Sequence, residues 1–167
     1  VDLVAVSKTH PVEALQAAYN AGQRIFGENK VQEMTMKQAL LPNDIEWHFI
    51  GHVQRNKIKM MAPYVSVIQG GDNFEKLVEI DKQAKKYDRN IKCLLQIHIA
   101  AEDTKFGFSP EECLQMLETT GWQELSNITI AGVMGMATFT DNLQQVKQEF
   151  ETLVALFNNI KQRYFAE

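Results

Sequence analysis

The chain has 167 residues, of which 45% are hydrophobic and 23% charged, so it is long enough for one globular domain with a sizeable core. Its formal net charge of -4 gives no electrostatic reason to expect a nucleic acid or an anionic membrane as a partner. No apolar run approaches the roughly 20 residues that a membrane-spanning helix needs.

Strand-like and helix-like segments alternate along the chain. Apolar runs predict strands over residues 2–8, 24–27, 46–51, 65–68, 91–99 and 128–136. Helical periodicity predicts helices over residues 11–22, 30–40, 54–61, 73–87, 110–119 and 142–163. The first helix opens at Pro11, where a missing N–H costs nothing, and closes at Gly22. Because a helix follows every strand, right-handed crossovers predict a parallel sheet.

Two α/β architectures are compatible with this order: an open doubly wound sheet and a (β/α)8 TIM-type barrel. The residues that could carry chemistry are spread over the ends of the first, second, third and sixth strands, which favours the barrel. A full barrel needs eight strands and typically at least about 200 residues, so we expect about six of its βα units in this chain.

The two cysteines, Cys93 and Cys113, have neither a metal-binding nor a redox spacing, and we predict that both are core thiols. The chain begins directly in a strand-like segment with no secretion-signal pattern, and it has no disulfide framework. These features predict a cytoplasmic protein.

Lys8 is the most informative residue. It closes the apolar first strand, at the strand end where ligands bind in α/β proteins, and lysines are almost never buried without a partner. An amine at this position indicates Schiff-base chemistry with a carbonyl compound. The alternative is a structural ion pair with a carboxylate such as that of Glu28, and the residues alone leave the two interpretations level.

Polar residues also follow the second and third strands. Asn29 could cap the next helix or face a ligand, and the two roles are equally compatible with its position. Gly51 would let the backbone approach a ligand closely. Arg55 and Lys57 supply cations there, although a solvated helix start explains them equally well.

Three further features have an ordinary explanation beside a functional one. Met134 and Met136, at the end of the sixth strand, could pack against a flat ligand ring or simply fill the core. Lys105 lies in a loop and could be a solvated charge. His48 and His52 are separated by a strand end, so they should diverge, and we predict no metal site.

Several segments resemble, in order, the signatures of one family. They are Ala5-Val6-Ser7-Lys8-Thr9-His10-Pro11, Phe26-Gly27-Glu28-Asn29-Lys30-Val31-Gln32-Glu33, Trp47-His48-Phe49-Ile50-Gly51-His52-Val53-Gln54-Arg55-Asn56-Lys57, Gln96-Ile97-His98-Ile99 with Lys105-Phe106-Gly107, and Gly132-Val133-Met134-Gly135-Met136. The family is that of the pyridoxal 5′-phosphate (PLP) homeostasis proteins, single-domain relatives of the alanine racemase barrel. The resemblance extends over essentially the whole chain.

The resemblance implies an α/β fold, a (β/α)8 barrel of the alanine racemase N-terminal-domain type. It implies that Lys8 holds PLP as an internal aldimine, and that Asn29, Met134 and Met136 help to line the cofactor site. It also implies a carrier or buffer of the cofactor without catalytic turnover, hence no catalytic residue, with PLP-dependent apo-enzymes as possible recipients. We take a monomer as the default.

The chain departs from the family pattern at its ends. Family members carry a helix before the first strand and two further βα units that grip the cofactor phosphate, so residues 1–167 are expected to form one barrel domain without those parts. No phosphate-binding residue can therefore be named. Two other classes of function stay open. The first is an enzyme, either a PLP-dependent racemase or lyase or a cofactor-free Schiff-base aldolase. The second is an interaction protein in which Lys8 forms a structural ion pair.

Overall fold

The structure, a computed structural model, describes residues 1–103 and 106–166, so Lys105 lies outside the described residues. Strands and helices alternate throughout this part of the chain. The strands are β1 (Ala5–Val6), β2 (Ile25–Glu28), β3 (Glu46–Phe49), β4 (Val67–Gly71), β5 (Ile91–Ile97) and β6 (Ile128–Gly135). The helices are α1 (Val12–Asn20), α2 (Val31–Leu40), α3 (Ile58–Met61), α4 (Phe74–Lys86), α5 (Pro110–Thr119) and α6 (Leu143–Tyr164).

The sheet has six parallel strands in the order β1-β2-β3-β4-β5-β6, with every strand beside its neighbour in sequence. This order rules out the doubly wound alternative, in which the strand order reverses at a switch point. A sheet that always advances in one direction, through right-handed crossovers, keeps all its helices on one face. The arrangement is that of six consecutive βα units of a barrel, as predicted.

The main core lies between the sheet and the helices. Side chains alternate between the two faces of a strand, and the helix-facing ones are almost completely buried. Each large apolar side chain removed from water in this way contributes about 1.5–3 kcal/mol. Those on the strands include Phe26, Trp47, Phe49, Ile68, Cys93 and Leu95, and those on the helices include Leu15, Met34, Ile58, Leu77, Ile80, Cys113, Leu156 and Ile160.

Local signals fix several helix ends. Asn73 caps α4 by accepting the N–H of the third residue beyond it, and Asn142 does the same for α6. Ser109 and Glu112 form a complete capping box at the start of α5. Gly22 follows α1 with a φ of 107°, a backbone conformation that glycine adopts without strain, so the predicted end of that helix is confirmed.

Three predicted elements differ from the structure. β1 pairs with β2 over two residues only, whereas the predicted strand extended over residues 2–8. The predicted helix over residues 54–61 starts as a 3₁₀ turn at Arg55–Lys57 and becomes α-helical only at α3. The predicted strand over residues 65–68 is instead β4 at Val67–Gly71, and a Cβ on Gly71 would meet the Leu94 oxygen of β5 at 2.7 Å.

In the described part of the chain, no helix combines the length and the apolarity that a membrane crossing requires.

Candidate functional site

Lys8 and Asn29 each follow the end of one of two paired strands, β1 and β2. The register pairs Val6 with Gly27, and each candidate residue comes two residues later. Strand alternation places Val6 and Gly27 on the sheet face opposite the helices, which we call the inner face. The contacts agree with this, since a Cβ on Gly27 would meet the Val4 side chain at 3.0 Å on that face. Lys8 then lies in a turn closed by the His10 N–H and the Ser7 oxygen.

The Lys8 side chain is exposed and free. Within residues 1–103 and 106–166 it makes neither an ion pair nor a hydrogen bond. The alternative that pairs it with Glu28 is therefore wrong. Strand alternation explains the error, because Glu28 is one residue before Asn29 and so faces the helices.

The lysine that Glu28 does bind is Lys37, which is 1% exposed and projects from α2 towards the sheet. Its ammonium group donates to Glu28 Oε1 at 2.5 Å, to Glu33 Oε1 at 2.8 Å and to the carbonyl oxygen of Ser7 at 2.7 Å. The Ser7 hydroxyl also donates to Glu28 Oε1, at 2.8 Å. An ammonium group has three N–H donors, and all three of Lys37 are used.

Glu33 links this buried cluster to the backbone beyond Lys8. Its Oε1 accepts the amide N–H of Thr9 at 2.7 Å. The hydrogen bond from Lys37, followed in effect by that from Thr9, holds the pKa of Glu33 below its ordinary value, against the opposing effect of burial. The residue is thus kept as a carboxylate against the backbone of Thr9.

The backbone of Asn29 packs against Gly51, just after the end of β3. A Cβ on Gly51 would lie 2.8 Å from the Asn29 Cα and 2.9 Å from its carbonyl carbon, so the two backbones touch because residue 51 is a glycine, while its close approach to a ligand stays a prediction. The Asn29 Oδ1 atom is buried and has no hydrogen-bond partner in the described structure. Asn29 does not cap α2, whose N-cap Lys30 has no side-chain cap.

A cleft of about 410 Å³ opens beside this junction, between the start of α2 and the segment after β3. Lys57 lines it together with Asn29 and Gly51, whereas Lys8 does not. Arg55 points away, with its guanidinium 3.7 Å from Glu75 and 3.9 Å from Glu79. Of the two predicted cations, only Lys57 lies near a candidate site residue.

His48 and His52 contact different partners. His48 Nδ1 is 3.1 Å from the amide of Gln69, and burial lowers the pKa of its imidazole. His52 Nδ1 is 3.4 Å from Asp72, and its ring stacks on Phe106 at a centroid distance of 3.8 Å. Among the described residues, no three His, Cys, Asp or Glu side chains come together as a metal site.

Met134 and Met136 lie at the other edge of the sheet, four strands from β2. Met134 is half-buried and pairs with Gln96 on β5. Gly132, two residues earlier, faces Leu94, so Met134 shares the inner face by alternation. Met136 follows the strand and is 41% exposed. Lys8 and Asn29 follow neighbouring strands, whereas the methionines belong to the strand at the opposite edge, and their part in a cofactor site stays a prediction.

The Lys37 cluster is the part of the site that sequence reasoning missed. Glu33 and Lys37 are spaced i,i+4 on a helix, a pattern typical of a solvated surface pair. One signal could have found them. Lys37 falls three residues after Met34 on the apolar face of α2, where a charge needs buried partners.

The family model of the alanine racemase N-terminal domain matches residues 1–167 of this chain. Two curated relatives are named pyridoxal phosphate homeostasis protein. The one from Pasteurella multocida is 38% identical over 97% of this chain and 70% of its own length. The one from Aquifex aeolicus is 35% identical over 97% of this chain and 71% of its own length.

Solved structures agree in fold. PipY from Synechococcus elongatus, solved without PLP, is 32% identical, with a TM-score of 0.91 over 98% of this chain and 76% of that one. The same protein solved with PLP bound gives 31% identity and a TM-score of 0.87, with the same coverage. An alanine racemase from Clostridium difficile is 14% identical, with a TM-score of 0.72 over 95% of this chain and 43% of that one, and shows likeness of fold alone.

Proposed function

The chain belongs to the family of the pyridoxal phosphate homeostasis proteins, and from this we propose that it binds PLP at Lys8 and acts in homeostasis of the cofactor as a carrier or buffer. PipY, a relative of the same fold, has been solved with PLP bound. The observation in this chain that supports the proposal is the exposed Lys8 amine, which has no ion-pair or hydrogen-bond partner in the described residues and follows the end of β1, beside β2.

The residues at the strand ends suit the cofactor. PLP supplies an aldehyde, which condenses with an amine, and a conjugated ring that can accept electrons. Lys8 offers an amine that no carboxylate occupies, and Asn29 offers a buried oxygen without a partner. Lys37 is the wrong amine, since it is buried and donates all its hydrogens. Met134 supplies apolar surface further along the inner face, and no residue is assigned to the phosphate.

A carrier role without turnover is supported by the names of the relatives. The register places one titratable side chain, His48, in line with Val6 and Gly27 on the inner face, and its imidazole already contacts Gln69. A racemase needs a second acid–base group on the far side of the cofactor, poised near the operating pH. We place none there, and the relatives named above are homeostasis proteins rather than racemases.

The test of binding is to mix the protein with PLP, record the visible absorbance of the bound cofactor and map the site after borohydride trapping. Lys8→Ala and Lys8→Arg should both lose the trapped cofactor, because a guanidinium keeps the charge but is not a usable nucleophile. Lys82→Ala is the matched control, an exposed lysine on α4, and it should behave as the unaltered protein. Trapping at full yield in Lys8→Ala would remove Lys8 from the proposal.

Turnover is tested separately. With PLP present, amino acids in heavy water should show no sustained exchange of the α-proton above the level of free cofactor. Repeated exchange by the protein, abolished in Lys8→Ala, would favour a racemase or lyase over a carrier.

A further inference from the structure

The backbone on both sides of Lys8 is held by one ionic cluster that reaches it from α2. Lys37 donates to the carbonyl oxygen of Ser7 at 2.7 Å. Glu33, one turn earlier on the helix and 2.8 Å from Lys37, accepts the amide N–H of Thr9 at 2.7 Å. The residue before Lys8 and the residue after it are therefore anchored to the same helix.

This anchoring matters because the sheet no longer holds the chain at this point. The pairing of β1 with β2 ends at Val6, and one more backbone bond follows, from the Ser7 N–H to the Gly27 oxygen at 2.9 Å. Thr9 has a φ of 65°, a left-handed conformation that a β-branched residue rarely adopts. Such a residue persists only where its surroundings hold it, and the Glu33 carboxylate provides that hold.

Stability does not by itself account for the cluster. Replacing a buried ion pair by apolar side chains is often neutral or even stabilising. Glu28 is fully buried, and its Oε2 atom has no partner in the described structure, so the cluster is not even saturated. What an apolar side chain could not supply is the directed contact of Lys37 with Ser7 and, through Glu33, with Thr9.

We infer that Lys37 and Glu33 are positioning residues, which fix the backbone on both sides of Lys8 and so hold its amine at the strand ends. The inference deepens the proposed function and rests on it for the role of the Lys8 amine. Neither residue touches the cofactor in this account, because both lie on the helix side of the sheet.

The first test uses the cofactor-free protein. In Glu33→Ala, amide hydrogen exchange at Thr9 should accelerate about tenfold, since a bond to a charged acceptor is lost. The double variant Glu28→Gln with Lys37→Met removes both buried charges together. When it is treated with limiting acetic anhydride, the rate of Lys8 acetylation and the pH dependence of that rate should both change. Lys37→Arg keeps a charge and donors, and it should restore part of the original labelling profile.

The second test measures PLP affinity in the same variants, each first shown to be folded by its thermal unfolding. A displacement of about 1 Å can cost about 100-fold, so we expect the double variant to bind 10- to 100-fold more weakly, with partial recovery in Lys37→Arg. Lys76→Met is the matched control, because it removes another partly buried i,i+4 pair, with Asp72, far from β1. It should bind PLP normally.

The possible results distinguish failure of the proposed function from failure of the positioning role. If PLP is never trapped at Lys8 in the unaltered protein, the proposed function fails, while the exchange and labelling results still decide whether the cluster holds the backbone. If PLP is trapped at Lys8 but the folded variants keep the original affinity, Lys8 labelling and Thr9 exchange, the positioning role is overturned.

Discussion

A methyl group added at Gly51 should damage both stability and cofactor binding. In Gly51→Ala, the new Cβ would lie 2.8 Å from the Asn29 Cα and 2.9 Å from its carbonyl carbon, and it would overlap the carbonyl oxygen. Non-bonded carbons prefer about 3.5–4.0 Å, so the backbone of Asn29 must retreat by roughly 0.6–1 Å. Overpacking of this kind costs about 1–3 kcal/mol.

The same displacement moves Asn29 relative to Lys8, which follows the neighbouring strand β1. The free energy of unfolding from urea titration and the PLP affinity should therefore fall together. Gly132→Ala is the matched control, since its Cβ would meet only Leu94 Cδ2 at an ordinary 3.7 Å. That variant should be neutral, or more stable by about 0.4–1 kcal/mol through a restricted unfolded chain. Equal stability and affinity in the two variants would refute the reasoning.

Two further predictions concern titrating groups. Burial raises the pKa of Cys93 and of Cys113 to about 12, so at pH 8 only about one thiol in 10⁴ is the reactive thiolate. A chromogenic disulfide reagent should therefore not react with the folded protein until denaturant is added. Rapid reaction of the folded protein would contradict the burial of the two thiols. The pKa of Glu33 is lowered from its ordinary 4.5, so the stability it contributes is complete above that pH and is lost as the pH falls through the lower folded value. The pH dependence of unfolding should therefore lose this acid step in Glu33→Gln, and two superimposable curves would show that Glu33 contributes nothing.

The order of elements could be predicted from the sequence because it depends on short-range periodicity. The predicted strand over residues 128–136 and the helix over 110–119 match β6 and α5 to within a residue. Such segments have one buried face, and alternation or helical spacing reveals it directly. The alternation predicted a parallel sheet and left two architectures open, and the spread of candidate residues over several strand ends favoured the barrel.

The partners of charged residues could not be predicted in the same way. Lys8 and Glu28 lie at neighbouring strand ends, so pairing them was reasonable from position alone. Whether they meet depends on which face of the strand each occupies, and a one-residue step reverses that face. Lys37 was missed because its i,i+4 spacing from Glu33 is typical of a surface pair, and its contacts with Ser7 and Glu28 join segments that are distant in sequence.

The Lys37 ammonium contacts the carbonyl oxygen of Ser7, the residue before Lys8, yet the fold gives the two amines opposite chemistry. Lys37 lies in the core, where an ammonium group survives only if its charge is paired and its hydrogens are accepted, so it is not available as a nucleophile. Lys8 lies two residues beyond the end of β1 in reach of solvent, and within the described residues it has no such partners. In the proposed function, the buried amine therefore holds the strand end while the exposed one remains free to react.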